Sequence, residues 1–124
     1  MYSMKESFDV FIADAIDNIP TQYQEKIKDV LFRVEDEPTG EQRKKLGLRS
    51  CDALFGLYEG VPLTNRNGAV HSKVPDVITI FRYPMMKYYP EDNMLKKQIF
   101  ETVWHEVAHY FGLNHRDIHL AKNN

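Results

Sequence analysis

Apolar residues recur at helical spacing near the start of the chain. Phe8, Phe11, Ile12, Ala15, Ile16 and Ile19 follow one another every three or four positions, which places them on one face of a helix. Pro20 ends that helix, because the residue before a proline is held out of the helical region. TQYQEKI then offers a short second helical turn. Over residues 28–36, KDVLFRVED, the period changes to two. Val30, Phe32 and Val34 alternate with Leu31, Arg33 and Glu35, which predicts a strand. The middle of the chain is broken up by turns. Gly40, Gly47, Gly56, Gly60 and Gly68 are five of the six glycines. With Pro62 and the NRNG run at 65–68, they leave room only for short strands around 53–59 and 67–72. DVITIF, 76–81, is rich in β-branched residues, lies between Pro75 and Pro84, and is the strongest strand signal in the chain. A long helix opens at Pro90-Glu91-Asp92 and runs to about Phe111. Proline and acidic residues suit a helix start, where the first amides are unpaired and the dipole is positive. Along this helix Leu95, Ile99, Val103 and Val107 form a core stripe, whereas Gln98, Thr102, His105 and His109 form a second stripe. Trp104, Tyr88 and Tyr89 are read as core or lid packing.

These elements predict an α+β fold in which a small twisted sheet packs against the long C-terminal helix and the N-terminal helix. The chain has 124 residues, which suits a single domain over 1–124 with one real core. Its net charge of −2 gives no general attraction for nucleic acid or anionic lipid. Arg43, Lys44, Lys45 and Arg49 are read as a solvated face. Cys51 stands alone, which excludes an intrachain disulfide framework and suits a reducing compartment; it is expected to be a buried hydrophobe. MYSMKESFDVF has no apolar core of a signal peptide, and VITIF is far too short to span a membrane. The expectation is a cytoplasmic, soluble monomer or weak oligomer.

The chemistry concentrates in TVWHEVAHYFGLNHRD, residues 102–117. His105, His109 and His115 are three of only five histidines, and Glu106 follows the first directly. On a helix, residues four apart differ by about 40° in direction and about 6 Å in height, so His105 and His109 can aim two imidazoles at one point. Zinc accepts neutral imidazole nitrogens at about 2.0–2.1 Å, and a two-histidine grip on one helix is a common way to hold it. Glu106, turned about 100° from His105, is poorly placed to ligate beside the pair but close enough to bond a water on the metal. A continuous helix would turn His115 about 240° away from His109. Gly112 supplies a break, because glycine tolerates the left-handed conformation that ends helices and so lets the chain swing back. Three nitrogen ligands with one open position form the catalytic rather than the structural type of zinc site. A chance H-E-x-x-H in a chain of this size is on the order of one in a few hundred, and the spaced glycine and third histidine lower that by roughly a thousandfold. His71 and His119 carry no such pattern, although His119 lies just behind the third ligand.

The span His105–His115, H-E-x-x-H-x-x-G-x-x-H, resembles the zinc motif of the zincin metallopeptidases in its extended, metzincin form. Most of the chain is similar to a smaller group, the minimal zincin-like metallopeptidases of bacteria. The likeness rests on the N-terminal amphipathic helix closed by a proline, DVLFRVED, LFGLYEGVPLTNR, and PDVITIFRYP leading into the motif helix. No methionine follows His115, so the methionine turn of metzincins proper has no counterpart, as in the minimal group. The resemblance implies a zincin-like fold and a zinc-dependent peptidase acting on peptide or protein substrates. In that scheme His105, His109 and His115 hold Zn2+ in a cleft between the helix and an edge strand. Glu106 serves as general base, and His119, Arg116 and Tyr83 are candidates for a second oxyanion donor. A strand near Tyr58–Leu63 would take an extended peptide by β-addition.

Two alternatives differ in class. Bacterial ribosomal-RNA-processing metalloproteins carry three histidines at this spacing, with glycine after the first; here Glu106 fills that position, and the chain lacks an aromatic-basic patch. The other alternative is a zinc-binding domain of zincin shape with little or no proteolytic activity, suggested by the short stretch after His115.

Overall fold

The computed structural model of the chain describes residues 4–66 and 74–113. Within them lie helices α1 (Met4–Asp17), α2 (Thr21–Gln24), α3 (Gly40–Leu46), α4 (Arg82–Tyr88) and α5 (Asp92–Phe111), and strands β1 (Leu31–Glu35), β2 (Gly56–Glu59) and β3 (Val77–Phe81). The fold is α+β, as the alternating patterns predict. The second strand expected in the middle of the chain, 67–72, lies outside the described residues.

α1 buries the predicted face: Phe8, Ile12, Ala15 and Ile19 are buried, and Phe11 and Ile16 pack against the same core. Its last carbonyls lack intrahelical partners. Gln24 reaches back from α2, its side-chain amide donating to Ile16 O in the last turn of α1 and to Ile19 O just beyond it, at 2.9 Å each.

The sheet has strand order β1-β3-β2. β3 lies in the centre, parallel to β1 with Phe32 opposite Ile78, and antiparallel to β2 with Tyr58 opposite Ile78. A central strand is covered on both faces, and accordingly Ile78, Thr79, Ile80 and Phe81 are all buried. Ile78 and Ile80 join the core formed with α1 and α5. α5 packs along α1 and across β2 and β3, burying the Leu95, Ile99, Val103 and Val107 stripe. Trp104 is also core, 1% exposed and 5.3 Å from the Tyr23 ring. Each large side chain so buried contributes about 1.5–3 kcal/mol of transfer free energy.

Two short helices and one burial depart from the expectation. α3 has no buried residue, so there is no apolar stripe to announce it. It forms through its ends: Thr39 Oγ1 accepts from Gln42 N at 3.0 Å, Gln42 Oε1 accepts from Thr39 N at 2.9 Å, and Gly47 closes it in the left-handed region at φ 69°. The T-x-x-Q signature is a capping box. α4 contains Pro84, which sets a later boundary than the strand end it suggests. Pro84 is the third helical residue, where its missing N–H costs no intrahelical bond. Cys51 is exposed, not buried, because it sits in the turn after α3 rather than on an apolar face. Of the basic residues, Arg43 donates to Asp52 O at 3.1 Å and Arg49 pairs with Asp52 at 3.2 Å.

α5 ends as the glycine predicts. Gly112 has φ 78°, and the amides of Gly112 and Leu113 donate to His109 O at 2.9 Å and Ala108 O at 3.0 Å, a Schellman closure. A Cβ on Gly112 would land on the Thr64 side chain, so the helix end and the Leu63–Asn65 turn are in close contact. Gly112→Ala is expected to cost about 1–2 kcal/mol from the left-handed backbone alone, and more from the Thr64 contact. In urea unfolding, adding Thr64→Ala should restore only the second part.

Candidate metal centre

The helical repeat brings His105 and His109 together on the flank of α5, with ring centroids 4.4 Å apart and planes at 65°. Both lie at the surface of the core rather than in it; the His109 side chain is 41% exposed. Glu106 is different. It belongs to the buried set, with only 7% of its surface exposed. Burying a carboxylate is costly unless hydrogen bonds replace its water, and two donors meet it. The backbone amide of Tyr58 on β2 donates to Glu106 Oε1 at 2.9 Å, and His109 Nδ1 lies 3.3 Å from the same oxygen. The contact with His109 follows from the three-residue step between them, which makes neighbours on a helix surface. Glu106 therefore reaches nearer the imidazoles than its offset from His105 alone implies. The carboxylate raises the His109 pKa above its ordinary 6.5, against the opposing effect of burial.

One nitrogen from each histidine and one oxygen of Glu106 lie within 4.8 Å of one another, the one such group among the described residues. Two imidazoles are nitrogen donors of the kind zinc accepts, and with the Glu106 carboxylate beside them the residues fit that ion. His105 and Glu106 of this group line a cleft of about 320 Å³ between α5 and the start of β2, with Phe55 and Gly56 on one wall and Gln98 and Thr102 on the other. The two walls approach closely because Gly56 carries no side chain. A Cβ there would stand 2.6 Å from Thr102 Cγ2 and 3.2 Å from Glu106 Cγ.

His115, Arg116 and His119 lie outside the described residues, as does His71. Tyr83 is on α4, 47% exposed, with the Arg82 guanidinium 5.3 Å from its ring. It faces a separate cleft shared with Cys51 and Pro84, and is not brought to His105. The edge strand expected near Tyr58–Leu63 is β2, which ends at Glu59. The Tyr58 amide was not legible in the sequence. Its partner is 48 positions away, and a backbone donor leaves no mark on residue identity.

A sequence model of the zincin-like metallopeptidase family matches residues 27–123. The chain belongs to the zincin-like metallopeptidase family. No curated protein matches it. Among the described residues no helix is long and apolar enough to cross a membrane.

Zinc takes imidazole only in its neutral form. With the His109 pKa raised, protons compete for the site from a higher pH than at an ordinary histidine. Zinc affinity measured by competition dialysis is expected to fall as pH drops, starting above 6.5, by about tenfold per pH unit for each proton displaced. Glu106→Gln, which removes the carboxylate that raises the pKa, should move that onset to lower pH; an unmoved onset would assign the shift elsewhere.

Proposed function

We propose that this chain is a zinc-dependent peptidase that hydrolyses peptide bonds with Glu106 as general base. The observation that carries the reading is the buried Glu106 carboxylate, held at 2.9 Å by the Tyr58 amide within a group containing His105 and His109. His105, His109 and His115 would hold the metal. When bound, zinc supplies Lewis acidity, which makes water nucleophilic near neutral pH and polarises a carbonyl.

Glu106 does the proton work. Tyr58 N–H and His109 both engage Oε1, and Oε2 would be the oxygen that meets the water attacking the scissile carbonyl. Glu106 takes the proton of that water and then passes it to the leaving amine nitrogen. Among the described residues β2 pairs with β3 alone, and an extended substrate would lie along its other side, with main-chain hydrogen bonds providing register and hold. Gly56 keeps β2 close to Thr102 and Glu106, so a peptide held along β2 would lie near the general base. A polypeptide substrate also agrees with the net charge of −2, which offers RNA no electrostatic hold.

Zinc-loaded parent and Glu106→Gln chains should be compared on casein and on a peptide library, with zinc content measured in parallel. The expected result is about one zinc per chain in both and a loss of roughly 10²–10⁴ in kcat/KM in the variant. Equal turnover would remove Glu106 from the mechanism. A zinc-loaded parent that cleaves no peptide would instead be a zinc-binding domain of zincin shape.

A further inference from the structure

Behind the Tyr58 amide lies a buried polar chain that the hydrolytic scheme does not use. The Tyr58 hydroxyl donates to Asp76 Oδ1 at 2.7 Å. Asp76 in turn receives Arg66 Nη2 at 2.7 and 2.8 Å on its two oxygens. The ion pair is well shielded, its side chains 4% and 11% exposed. Arg66 Nε donates to Val61 O at 2.8 Å, and its guanidinium lies 5.6 Å from the Tyr110 ring, which packs edge-on against Tyr58. Gly60 closes the group: a Cβ there would sit 2.5 Å from Asp76 Oδ1 and 2.6 Å from the Tyr58 hydroxyl.

We infer that Arg66 and Asp76 form a clamp that grips the Tyr58 side chain and thereby fixes its backbone amide on Glu106, making all three positioning residues for the general base. The geometry favours this over simple core packing in two ways. β2 is only four residues long and among the described residues pairs with β3 alone, so its ladder restrains it weakly. Tyr58 carries both ends of the link, its hydroxyl on Asp76 and its amide on Glu106. Burial and the Asp76 bond also raise the phenol pKa well above its ordinary value, so the hydroxyl stays a donor throughout the working pH range. A loose Tyr58 ring would let the amide drift from Oε1, leaving a buried carboxylate short of a donor and free to rotate.

The inference rests on the peptidase reading for its kinetic consequence, but the clamp itself is tested without it. Tyr58→Phe removes the hydroxyl and keeps the ring. Amide hydrogen exchange, followed by NMR on the metal-free full chain, should quicken at residue 58 by about tenfold, the scale of one lost hydrogen bond. Leu57 and the β3 amides should keep their rates. In the zinc-loaded chain kcat should fall severalfold while KM and zinc affinity stay unchanged. Asp76→Asn, which keeps an acceptor for the hydroxyl but weakens the Arg66 fork, should give the same pattern at lower amplitude, and serves if the phenylalanine variant does not fold. An unchanged rate at residue 58, or one that quickens evenly across β2 and β3, would overturn the clamp. If the parent hydrolyses no peptide, the peptidase reading fails and the exchange rates still decide the clamp.

Discussion

A carboxylate almost removed from water must be held by donors, and in this fold the donor for Glu106 comes from the opposite element. The bond from the Tyr58 amide to Glu106 Oε1, 2.9 Å long, joins α5 to β2. It requires β2 to lie against the helix, and Gly56 makes that approach possible because any side chain there would collide with Thr102. The cleft and the orientation of the carboxylate follow from that contact. An unpaired buried carboxylate would cost more than the fold can readily spare.

The helix itself is a compromise between two faces. Leu95, Ile99, Val103 and Val107 bury one side of α5, and the positions two after Val103 and Val107 carry His105 and His109 outward. Glu106 lies between Val107 and the histidines, near enough to the core to be buried and near enough to the surface to meet His109. Its intermediate place explains why it is shielded from bulk water yet lines the cleft with His105.

The parts of this arrangement that depend on local spacing were readable from residue order. The two-histidine grip needs only a four-residue step on a helix, the helix stop needs only Gly112, and the strands and long helices follow their apolar periods. α3 left a readable mark in Thr39 and Gln42, but its lack of any buried face hid it from an argument based on hydrophobic pattern. α4 was masked by Pro84, whose residue type fits a strand boundary as well as a first helical turn. Cys51 was misjudged because cysteine composition speaks for burial, whereas its position in a turn decides exposure. The links from Tyr58 to Glu106 and from Tyr58 through Asp76 to Arg66 cross 48, 18 and 10 positions of chain. Such contacts are set by tertiary packing and carry no periodic signal.

If the chain holds zinc as proposed, neighbouring turns of α5 direct the His105 and His109 imidazoles at one ion. X-ray absorption at the zinc edge tests it most directly, using the full chain loaded with one equivalent of metal. The expected spectrum has a first shell of nitrogen and oxygen alone at about 2.0–2.1 Å, with outer-shell scattering from at least two imidazoles, diminished in His105→Ala and in His109→Ala. A shell containing sulfur from Cys51, or a spectrum that neither substitution alters, would contradict it.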